Sequence, residues 1–361
     1  MKSLQVRRWA RCYRYLRAAA KVSGGPVCYH RHLFELTLPA AHEYVKAHCG
    51  GDAGAIQIRE LGGGVSNTVL LVECGSKRFV LKQSLGKLRV EQEWLSDRMR
   101  IHRECAAMDA LGPHLPPESV PRILFEDQAN CIFAMSAAPE RAETWKALLL
   151  RGDIDTGVAA RIGQMLGCII GESRKRPDWK ARFSDQTVFD QLRLDPYYRT
   201  TAQRHPGLAV FFDRLIQKAR TRRISLVHGD WSPKNFLVNG GSVMAIDFEV
   251  VHYGDAAFDA AFLTNHLVLK AFYRPHWRSG YRSAALAFRD AVMDTVRELP
   301  EGFEQDTIEH LAGLLLARID GKSPAEYIQE EAMKARVRTF GLGLVADLPS
   351  SIEELFDRIP E

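Results

Sequence analysis

The stretch LVHGDWSPKNFLV, followed shortly by VMAIDFE, limits the possible folds of this chain more than any other segment. His228, Asp230 and Asn235 stand in the order H-x-D-x-x-x-x-N, and Asp247 and Glu249 follow the next apolar run. Polar residues between short apolar runs predict a loop within a β-hairpin over residues 225–247. Transfer of a phosphoryl group requires a carboxylate beside the attacking hydroxyl and oxygen ligands for Mg²⁺. The segment supplies both, and it therefore predicts a kinase.

The rest of the chain divides into a strand-rich part and a helix-rich part. Strands are predicted at IQIREL, TVLLVEC and RFVLKQ, and PRILFED with CIFAMS predicts a second hairpin. Helical spacing of apolar residues occurs in LPAAHEYVKAHCGG, over 97–111, and then over 154–174, 208–221, 256–272, 284–297, 304–318 and 324–338. This pattern predicts an α+β protein with a small antiparallel-sheet N-lobe over 35–140 and a larger helical C-lobe over 141–361. A hinge is expected near 135–141.

Charge and cysteine content limit the environment and partners of the chain. Residues 1–34 contain eight Lys or Arg and no Asp or Glu, so the formal net charge of +5 comes from this segment. The rest is mildly acidic, and no nucleic-acid partner is expected. No apolar run is long enough to span a membrane, so no membrane partner is expected either. The seven cysteines include no C-x-x-C pair, which favours a reducing compartment and predicts a cytoplasmic protein.

The basic segment over 1–34 has three interpretations. An Arg-rich stretch without acidic residues resembles an organelle transit peptide. It also suits an arm that binds RNA or a membrane surface. The third interpretation, which we favour, is a disordered extension or translated sequence upstream of the protein's start. Gly24-Gly25-Pro26 separates this segment from the sequence that follows.

A glycine-rich turn and a strand lysine predict a site for the phosphates of ATP. The run from Gly62 to Asn67 joins the first two predicted strands, where glycines let backbone N–H groups approach phosphate oxygens. Lys82, at the end of the third strand, is expected to contact the α- and β-phosphates and a helix glutamate. Glu104 is the candidate glutamate, with Glu91 and Glu93 as alternatives. The predicted nucleotide-binding residues are Gly62, Gly63, Gly64, Ser66, Asn67, Lys82, Glu104 and, at the hinge, Met135.

The H-x-D-x-x-x-x-N segment predicts the residues that take part in the reaction. Asp230 is expected to be the general base that orients the acceptor hydroxyl and takes its proton. Asn235 and Asp247 are expected to bind Mg²⁺ through oxygen, and Glu249 to bind it directly or through water. His228 is expected to brace the loop by hydrogen bonds. A hairpin with surface polar residues would not explain so many metal-competent groups beside one base.

Two further aspartates in YGDAAFDAAF have structural roles in this interpretation. Asp255 has the position of a helix N-cap, and Asp259 is expected to hydrogen-bond the catalytic loop or the start of the helix. The side chains of Trp231 and Lys234 are expected to face either the acceptor or solvent.

These residues resemble the signature of the aminoglycoside phosphotransferase and choline kinase superfamily, a branch of the protein-kinase-like fold. The signature is H-G-D-x-x-x-x-N followed by a strand and I-D-[FWP]-[ED], and this chain has HGDWSPKN and IDFE. Within the superfamily, LGGGVSNTVLLV, LKQSLGKLRVEQEWLSDRMRIHRE and FDQLRLDPYY are similar to stretches of methylthioribose kinases. The resemblance covers roughly residues 40–340. It implies a two-lobed protein-kinase-like fold and a monomeric or homodimeric kinase of small molecules.

Two departures from methylthioribose kinases concern the acceptor. Those enzymes have H-G-D-L-H-T-G-S in the catalytic loop, whereas this chain keeps Asn235, as aminoglycoside kinases do. They also have an Arg-Arg pair late in the chain, where LLLARIDGKSP has only Arg318, with Lys322 four residues on. Arg318 is expected to neutralise charge on the acceptor side. The alternative to an enzyme is a non-catalytic nucleotide-binding pseudokinase, although such proteins usually lose the base, the strand lysine or the metal aspartate.

Overall fold

A computed structural model describes residues 34–49, 55–62, 66–87, 89 and 96–360. The basic extension up to residue 33 lies outside the described residues, as do Gly63, Gly64, Glu91, Glu93 and Trp94. The chain forms two compact units, one from residues up to 94 together with 123–137, and the other from 95–122 together with 138–361. The lobe boundaries at 35–140 and 141–361 stay a prediction. Among the described residues, no helix combines the length and the apolar character needed to cross a bilayer.

Over its described residues, the first unit is a five-stranded antiparallel sheet with one helix packed against it. The helix is α1 (Leu38–Cys49), and the strand order is β1-β2-β3-β5-β4. The strands are β1 (Ile56–Glu60), β2 (Asn67–Cys74), β3 (Lys77–Ser84), β4 (Ile123–Asp127) and β5 (Ile132–Ser136). All three predicted strands and the predicted hairpin of PRILFED with CIFAMS are confirmed, because their apolar residues alternate and turn residues separate them. Apolar side chains of α1 and of the sheet form the core of this unit, among them Tyr44, Val45, Leu70, Val72 and Leu81.

Helices make up most of the second unit. They are α2 (Arg100–Leu111), α3 (Trp145–Arg151), α4 (Thr156–Lys175), α5 (Pro177–Arg182), α6 (Thr187–Phe189), α7 (Thr200–Arg204), α8 (Ala209–Thr221), α9 (Ala256–Tyr273), α10 (Arg278–Thr295), α11 (Phe303–Asp320), α12 (Glu331–Ala346) and α13 (Ile352–Asp357). A π-helical segment, Asp190–Arg199, lies between α6 and α7. The predicted N-cap role of Asp255 is confirmed, because its side chain accepts a hydrogen bond from the Ala257 N–H at the start of α9.

Two glycines allow α4 and α10 to approach closely. A Cβ at Gly163 would lie 2.3 Å from the carbonyl oxygen of Phe288, and one at Gly167 would lie 2.6 Å from the Cβ of Thr295. Both distances are shorter than nonbonded carbon contacts allow, so a larger residue would push the helices apart. The close packing holds α4 and α10 together, and α4 contacts the strand before the HGDWSPKN loop through the hydrogen bond from the Leu226 N–H to the Ser173 hydroxyl.

The predicted hairpin over 225–247 is wrong in its pairing. Strand β7 (Ser225–Val227) pairs with β10 (His252–Gly254), whereas β8 (Phe236–Asn239) pairs with β9 (Ser242–Ala245) and with β6 (Glu143–Thr144). Three-residue strands have too little pattern to specify a partner from sequence. The HGDWSPKN loop therefore connects two different small sheets.

Two predicted helix boundaries are also wrong. The helix predicted over 324–338 is α12, which begins at Glu331, and the helix predicted over 284–297 begins at Arg278. Pro324 lacks an N–H donor, and the residues around it form a loop tied to the rest of the unit instead. The N–H of Lys322 donates to the carbonyl of Pro196 at 2.9 Å, and that of Ala325 donates to the carbonyl of Arg318 at 2.8 Å.

Candidate active site

The catalytic-loop segment begins with a turn that only glycine can make. Gly229 follows β7 with a φ of +76°, and a Cβ there would lie 2.8 Å from a methyl carbon of Val250. The carboxylate of Asp259 accepts hydrogen bonds from the N–H groups of His228 at 2.6 Å and Gly229 at 2.9 Å. The contact predicted between Asp259 and the loop is therefore confirmed. Burial raises the pKa of Asp259 to about 7, although both donors favour its ionised form.

His228 connects the loop to the end of strand β9. Its Nδ1 accepts a hydrogen bond from the N–H of Asp230, and its Nε2 lies 3.1 Å from the carbonyl oxygen of Ile246. These two partners require the neutral tautomer with the proton on Nε2. Burial lowers the pKa of His228 to about 4, which agrees with that state. The hydrogen bonds expected to brace the loop are present.

The carboxylate of Asp230 is buried and is bound by two cations. Nη2 of Arg193 lies 3.0 Å from Oδ2 of Asp230, and Nζ of Lys234 lies 2.9 Å from the same oxygen. Burial alone would raise the pKa of Asp230, but attraction to Lys234 and Arg193 outweighs it and holds the pKa well below its usual range. Asp230 is therefore ionised at neutral pH. Both of these closest contacts go to Oδ2 rather than Oδ1.

Asn235 and Asp247 are held close to each other by the backbone. The N–H of Ile246 donates to the carbonyl of Asn235 at 2.9 Å, which places Asp247 directly after this contact. Nδ2 of Asn235 donates a hydrogen bond to the carbonyl of Asp230. Among the described residues, no group donates a hydrogen bond to Oδ1 of the same amide. Asp247 has a φ of +70°, a left-handed backbone conformation that is uncommon outside glycine. One amide oxygen and one carboxylate suit a hard cation such as Mg²⁺.

Helix α2 holds the D-F-E segment through two of its side chains. Nε of Arg100 lies 2.9 Å from Oε2 of Glu249, and both side chains are buried. Oε1 of Glu104 accepts a hydrogen bond from the N–H of Phe248 at 3.2 Å. The structure thus places Glu249 in an ion pair and Glu104 beside Phe248. Neither contact was predicted, because each joins residues more than 140 positions apart.

The remaining predicted nucleotide-binding residues lie in the first unit. Lys82 is buried in β3, where it is opposite Val69 of β2 and Phe133 of β5. Ser66 and Asn67 come just before and at the start of β2, and Nδ2 of Asn67 donates to the hydroxyl of Ser66 at 3.0 Å. Met135 is buried in β5. Gly62 has open space where a Cβ would stand.

Arg193 and Arg318 are joined through one tyrosine. Nη1 of Arg318 donates to the hydroxyl of Tyr197 at 3.3 Å, and the guanidinium carbon of Arg193 lies 5.9 Å from the centre of the Tyr197 ring. Nε of Arg193 also donates to the carbonyl of Gly229 at 2.6 Å. Sequence reasoning missed Arg193, although it lies within the FDQLRLDPYY stretch that carries part of the family resemblance. Its position in a π-helical segment fits the frequent occurrence of such segments at functional sites.

Comparison with known proteins gives one family match. The model of a phosphotransferase enzyme family matches residues 57–299, which is more than half of the chain.

Individual relatives are distant. Methylthioribose kinase 2 of Oryza sativa subsp. japonica is 23% identical over 295 residues, covering 73% of this chain and 68% of that protein. Methylthioribose kinase of Bacillus cereus is 24% identical over 274 residues, covering 68% of this chain and 69% of that protein. A solved amicoumacin kinase in complex with AMP-PNP and Ca²⁺ has a TM-score of 0.56 at 16% identity, covering 89% of this chain and 97% of that chain. The structural similarity confirms the predicted protein-kinase-like α+β fold.

Proposed function

Because the chain belongs to the phosphotransferase enzyme family, as its motifs predict, we propose that it is a kinase of small molecules. It transfers the γ-phosphoryl group of ATP, with Mg²⁺, to a hydroxyl group of a small polar acceptor. The relatives favour a sugar similar to methylthioribose as the acceptor. Asn235, which aminoglycoside kinases share in this interpretation, makes an aminoglycoside-like molecule the second candidate.

The observation that carries the proposal is the buried, ionised carboxylate of Asp230. Arg193 and Lys234 bind its Oδ2, so Oδ1 is the oxygen available to the acceptor hydroxyl. A carboxylate with a depressed pKa is a weak base, and it takes the proton only as the new bond forms. Such timing suits the loose transition state of phosphoryl transfer. The bond between the γ-phosphorus and the bridging oxygen breaks, the bond to the acceptor oxygen forms, Asp230 takes the hydroxyl proton, and ADP leaves.

The metal ligands in this proposal are Oδ1 of Asn235 and the carboxylate of Asp247. Bound Mg²⁺ would neutralise charge on the nucleotide phosphates. His228 holds the loop that carries Asp230 against the carbonyl of Ile246, which precedes Asp247. Glu249 supports the same segment through its ion pair with Arg100, and it would contact the metal through water.

Residues of the N-terminal half are the proposed holders of the nucleotide. Lys82 would contact the α- and β-phosphates, and backbone N–H groups of the run from Gly62 to Asn67 would bind the phosphate oxygens. Glu104 is the proposed partner of Lys82, and Met135 would lie against the nucleotide. A cytoplasmic location, a monomeric or homodimeric state and the absence of nucleic-acid or membrane partners remain predictions.

Asp230→Asn tests the proposal. The amide cannot accept the hydroxyl proton. Turnover of Mg²⁺·ATP with an acceptor that the wild type phosphorylates should therefore fall by about 10²–10⁴-fold. The acceptor is found by incubating the protein with labelled ATP and a metabolite panel that includes methylthioribose and several aminoglycosides. Binding of AMP-PNP, measured by calorimetry, should change little.

Asp213→Asn is the matched control, because Asp213 is an exposed residue of α8. It should retain wild-type turnover. Normal turnover in Asp230→Asn would contradict the assigned base. A wild-type protein that binds AMP-PNP but shows no Mg²⁺-dependent turnover would support the non-catalytic alternative instead.

A further inference from the structure

Arg318 on α11 is a buried cation without an acidic partner among the described residues. Its Nη1 atom donates to the hydroxyl of Tyr197 and to the hydroxyl and carbonyl oxygens of Ser323. Its buried Nε has no acceptor, and no bond from Nη2 is found in the described part of the chain. The Nε–Nη2 edge of a guanidinium is one of the edges that bind a carboxylate or a phosphate with two parallel hydrogen bonds.

Lys270 on α9 is a second cation of this kind. Its side chain is fully buried, and its Nζ makes only a long contact of 3.4 Å with the carbonyl of His266. The same Nζ lies 5.0 Å from the centre of the Tyr327 ring, and the hydroxyl of Tyr327 is buried without a hydrogen bond. The acid with an electrostatic effect on Lys270 is Glu326, which also acts on Arg318 but is paired with Lys146.

A chain of side-chain contacts connects both cations to Asp230. The guanidinium carbon of Arg318 lies 5.9 Å from the centre of the Tyr197 ring, and that of Arg193 lies 5.9 Å from the same ring. Arg193 binds Asp230, and its guanidinium carbon lies 5.8 Å from the centre of the Phe262 ring. Phe262 in turn contacts the ring of His266 at 5.6 Å, one helical turn before Lys270. Arg318, Lys270 and the side chains that connect them to Asp230 therefore form one continuous group, which we call the helical wall. The connecting side chains are Arg193, Tyr197, Phe262 and His266.

The charge of this wall decides which acceptors it suits. Arg193 and Lys234 contact Asp230, and the charges of Lys270, Arg318, Asp230 and Lys234 all act on His266 of the same wall. A buried cation without a counter-ion is costly, and a bound anion removes that cost. A cationic acceptor, such as an amino sugar or a quaternary amine, would meet repulsion along the same wall.

We propose that the acceptor carries an anionic group, a carboxylate or a phosphate, which binds to Arg318 and Lys270 while its hydroxyl lies at Asp230. The inference rests on the proposed kinase function and narrows its acceptor class. It predicts a sugar-like or polyol-like acid in place of the neutral sugar or the cationic aminoglycoside.

The protonation of Lys270 gives an independent signal. Burial lowers the pKa of this ammonium to about 7, and nearby Lys146 and Arg318 act in the same direction while Glu326 opposes them. His266 is held neutral, because burial and Lys270 lower its pKa well below the usual value. An anion bound at Lys270 would favour its charged form, so binding near pH 7.5 should take up a fraction of a proton.

Titration with inorganic phosphate tests the site, with Mg²⁺·AMP-PNP present so that the nucleotide's own phosphate positions are filled. Arg318→Gln and Lys270→Met should each weaken phosphate binding about tenfold or more, and Arg318→Lys should weaken it less than Arg318→Gln, because the charge remains but the two parallel hydrogen bonds are lost. The exposed residues Arg297 and Lys175 supply the matched controls Arg297→Gln and Lys175→Met, which should bind as the wild type does. Calorimetry in two buffers of different ionisation enthalpy should show proton uptake that Lys270→Met abolishes. Equal affinities in all variants would mean an adventitious ion only and would overturn the inference.

Transfer assays separate this inference from the proposed function. D-Gluconate and glucose 6-phosphate are compared with glucose, and choline and an aminoglycoside represent cationic acceptors. Higher kcat/KM for either anionic compound supports the inference and identifies carboxylate or phosphate as the preferred group. Higher kcat/KM for glucose or for a cation overturns it while leaving the kinase proposal intact. If no compound is phosphorylated and ATP turnover does not depend on Asp230, the kinase proposal fails, and the phosphate titration still decides whether the anion site exists.

Discussion

Two buried carboxylates of the second unit, Asp230 and Glu249, are both bound by arginine but are held in different ways. Asp230 shares one oxygen between Arg193 and Lys234, and the Lys234 side chain is 49% exposed. Glu249 lies against Arg100, whose side chain is fully buried. The Asp230 cluster thus keeps one side near solvent, whereas the Glu249 pair is enclosed by protein.

The difference separates a carboxylate available for chemistry from one that fixes the structure. A half-exposed cation can move away without leaving a bare charge, because water replaces it. An enclosed pair has no such replacement. We therefore expect changes at Asp230 to appear mainly in turnover, and changes at Glu249 to appear mainly in folding.

The largest expected effect comes from Arg100→Met. The change leaves the Glu249 carboxylate buried without Arg100, so the free energy of unfolding should fall by about 3–5 kcal/mol. Urea unfolding measures it, and Arg100→Met combined with Glu249→Met should restore most of the loss. The exposed pair of Arg282 and Glu353, at 2.7 Å, supplies the control, where Arg282→Met should cost less than about 1 kcal/mol. Equal losses in the two single variants would remove the distinction between the pairs.

A second effect concerns pH and His228. The folded-state pKa of about 4 lies below the ordinary value of 6.5, so the unfolded chain binds the proton first as pH falls. His228 therefore stabilises the fold above pH 6.5, and this contribution is lost between pH 6.5 and 4, at about 1.4 kcal/mol per pH unit. The total is about 3 kcal/mol. His228→Gln should show a correspondingly shallower dependence of unfolding free energy on pH, and parallel curves would rule out the neutral buried imidazole.

The smallest of the three effects should come from Arg193→Met. Lys234 still neutralises Asp230, but the contact from Arg193 to the Gly229 carbonyl is lost and the carboxylate moves. A displacement of this kind costs about 10²-fold in kcat, equivalent to about 2.7 kcal/mol. Arg193→Lys should recover part of it, and Lys234→Met should cost less because Lys234 is half exposed. A larger loss in Lys234→Met than in Arg193→Met would reverse the assignment.

The proximity of the loop residues could be predicted from the sequence because these residues are contiguous. His228, Asp230 and Asn235 lie within eight positions, and the same short stretch fixes their spacing. The first sheet is equally predictable, since alternating apolar residues and clear turns specify strands of five to eight residues.

Partners that come from distant segments were not predictable. Arg193 reaches Asp230 from 37 positions earlier, and Arg100 reaches Glu249 from 149 positions earlier. An arginine in LRLDPYY or in RIHRE is typical of a solvated helix face, and no local pattern reveals its partner. The pairing of β7 with β10 was not predicted for a related reason. Gly240-Gly241 indicates a hairpin turn, but the sequence does not show that β8 rather than β7 is the strand paired across it.

The backbone of Asp247 has a consequence for how this position can change in evolution. Its φ of +70° suits glycine or asparagine better than most other residues. Glycine adopts this conformation without strain, so selection for thermal stability alone would favour glycine at position 247, whereas the proposed role in metal binding would keep the aspartate. Under the proposed metal-binding role of Asp247, a single substitution at this position would give a stable but inactive descendant of this chain.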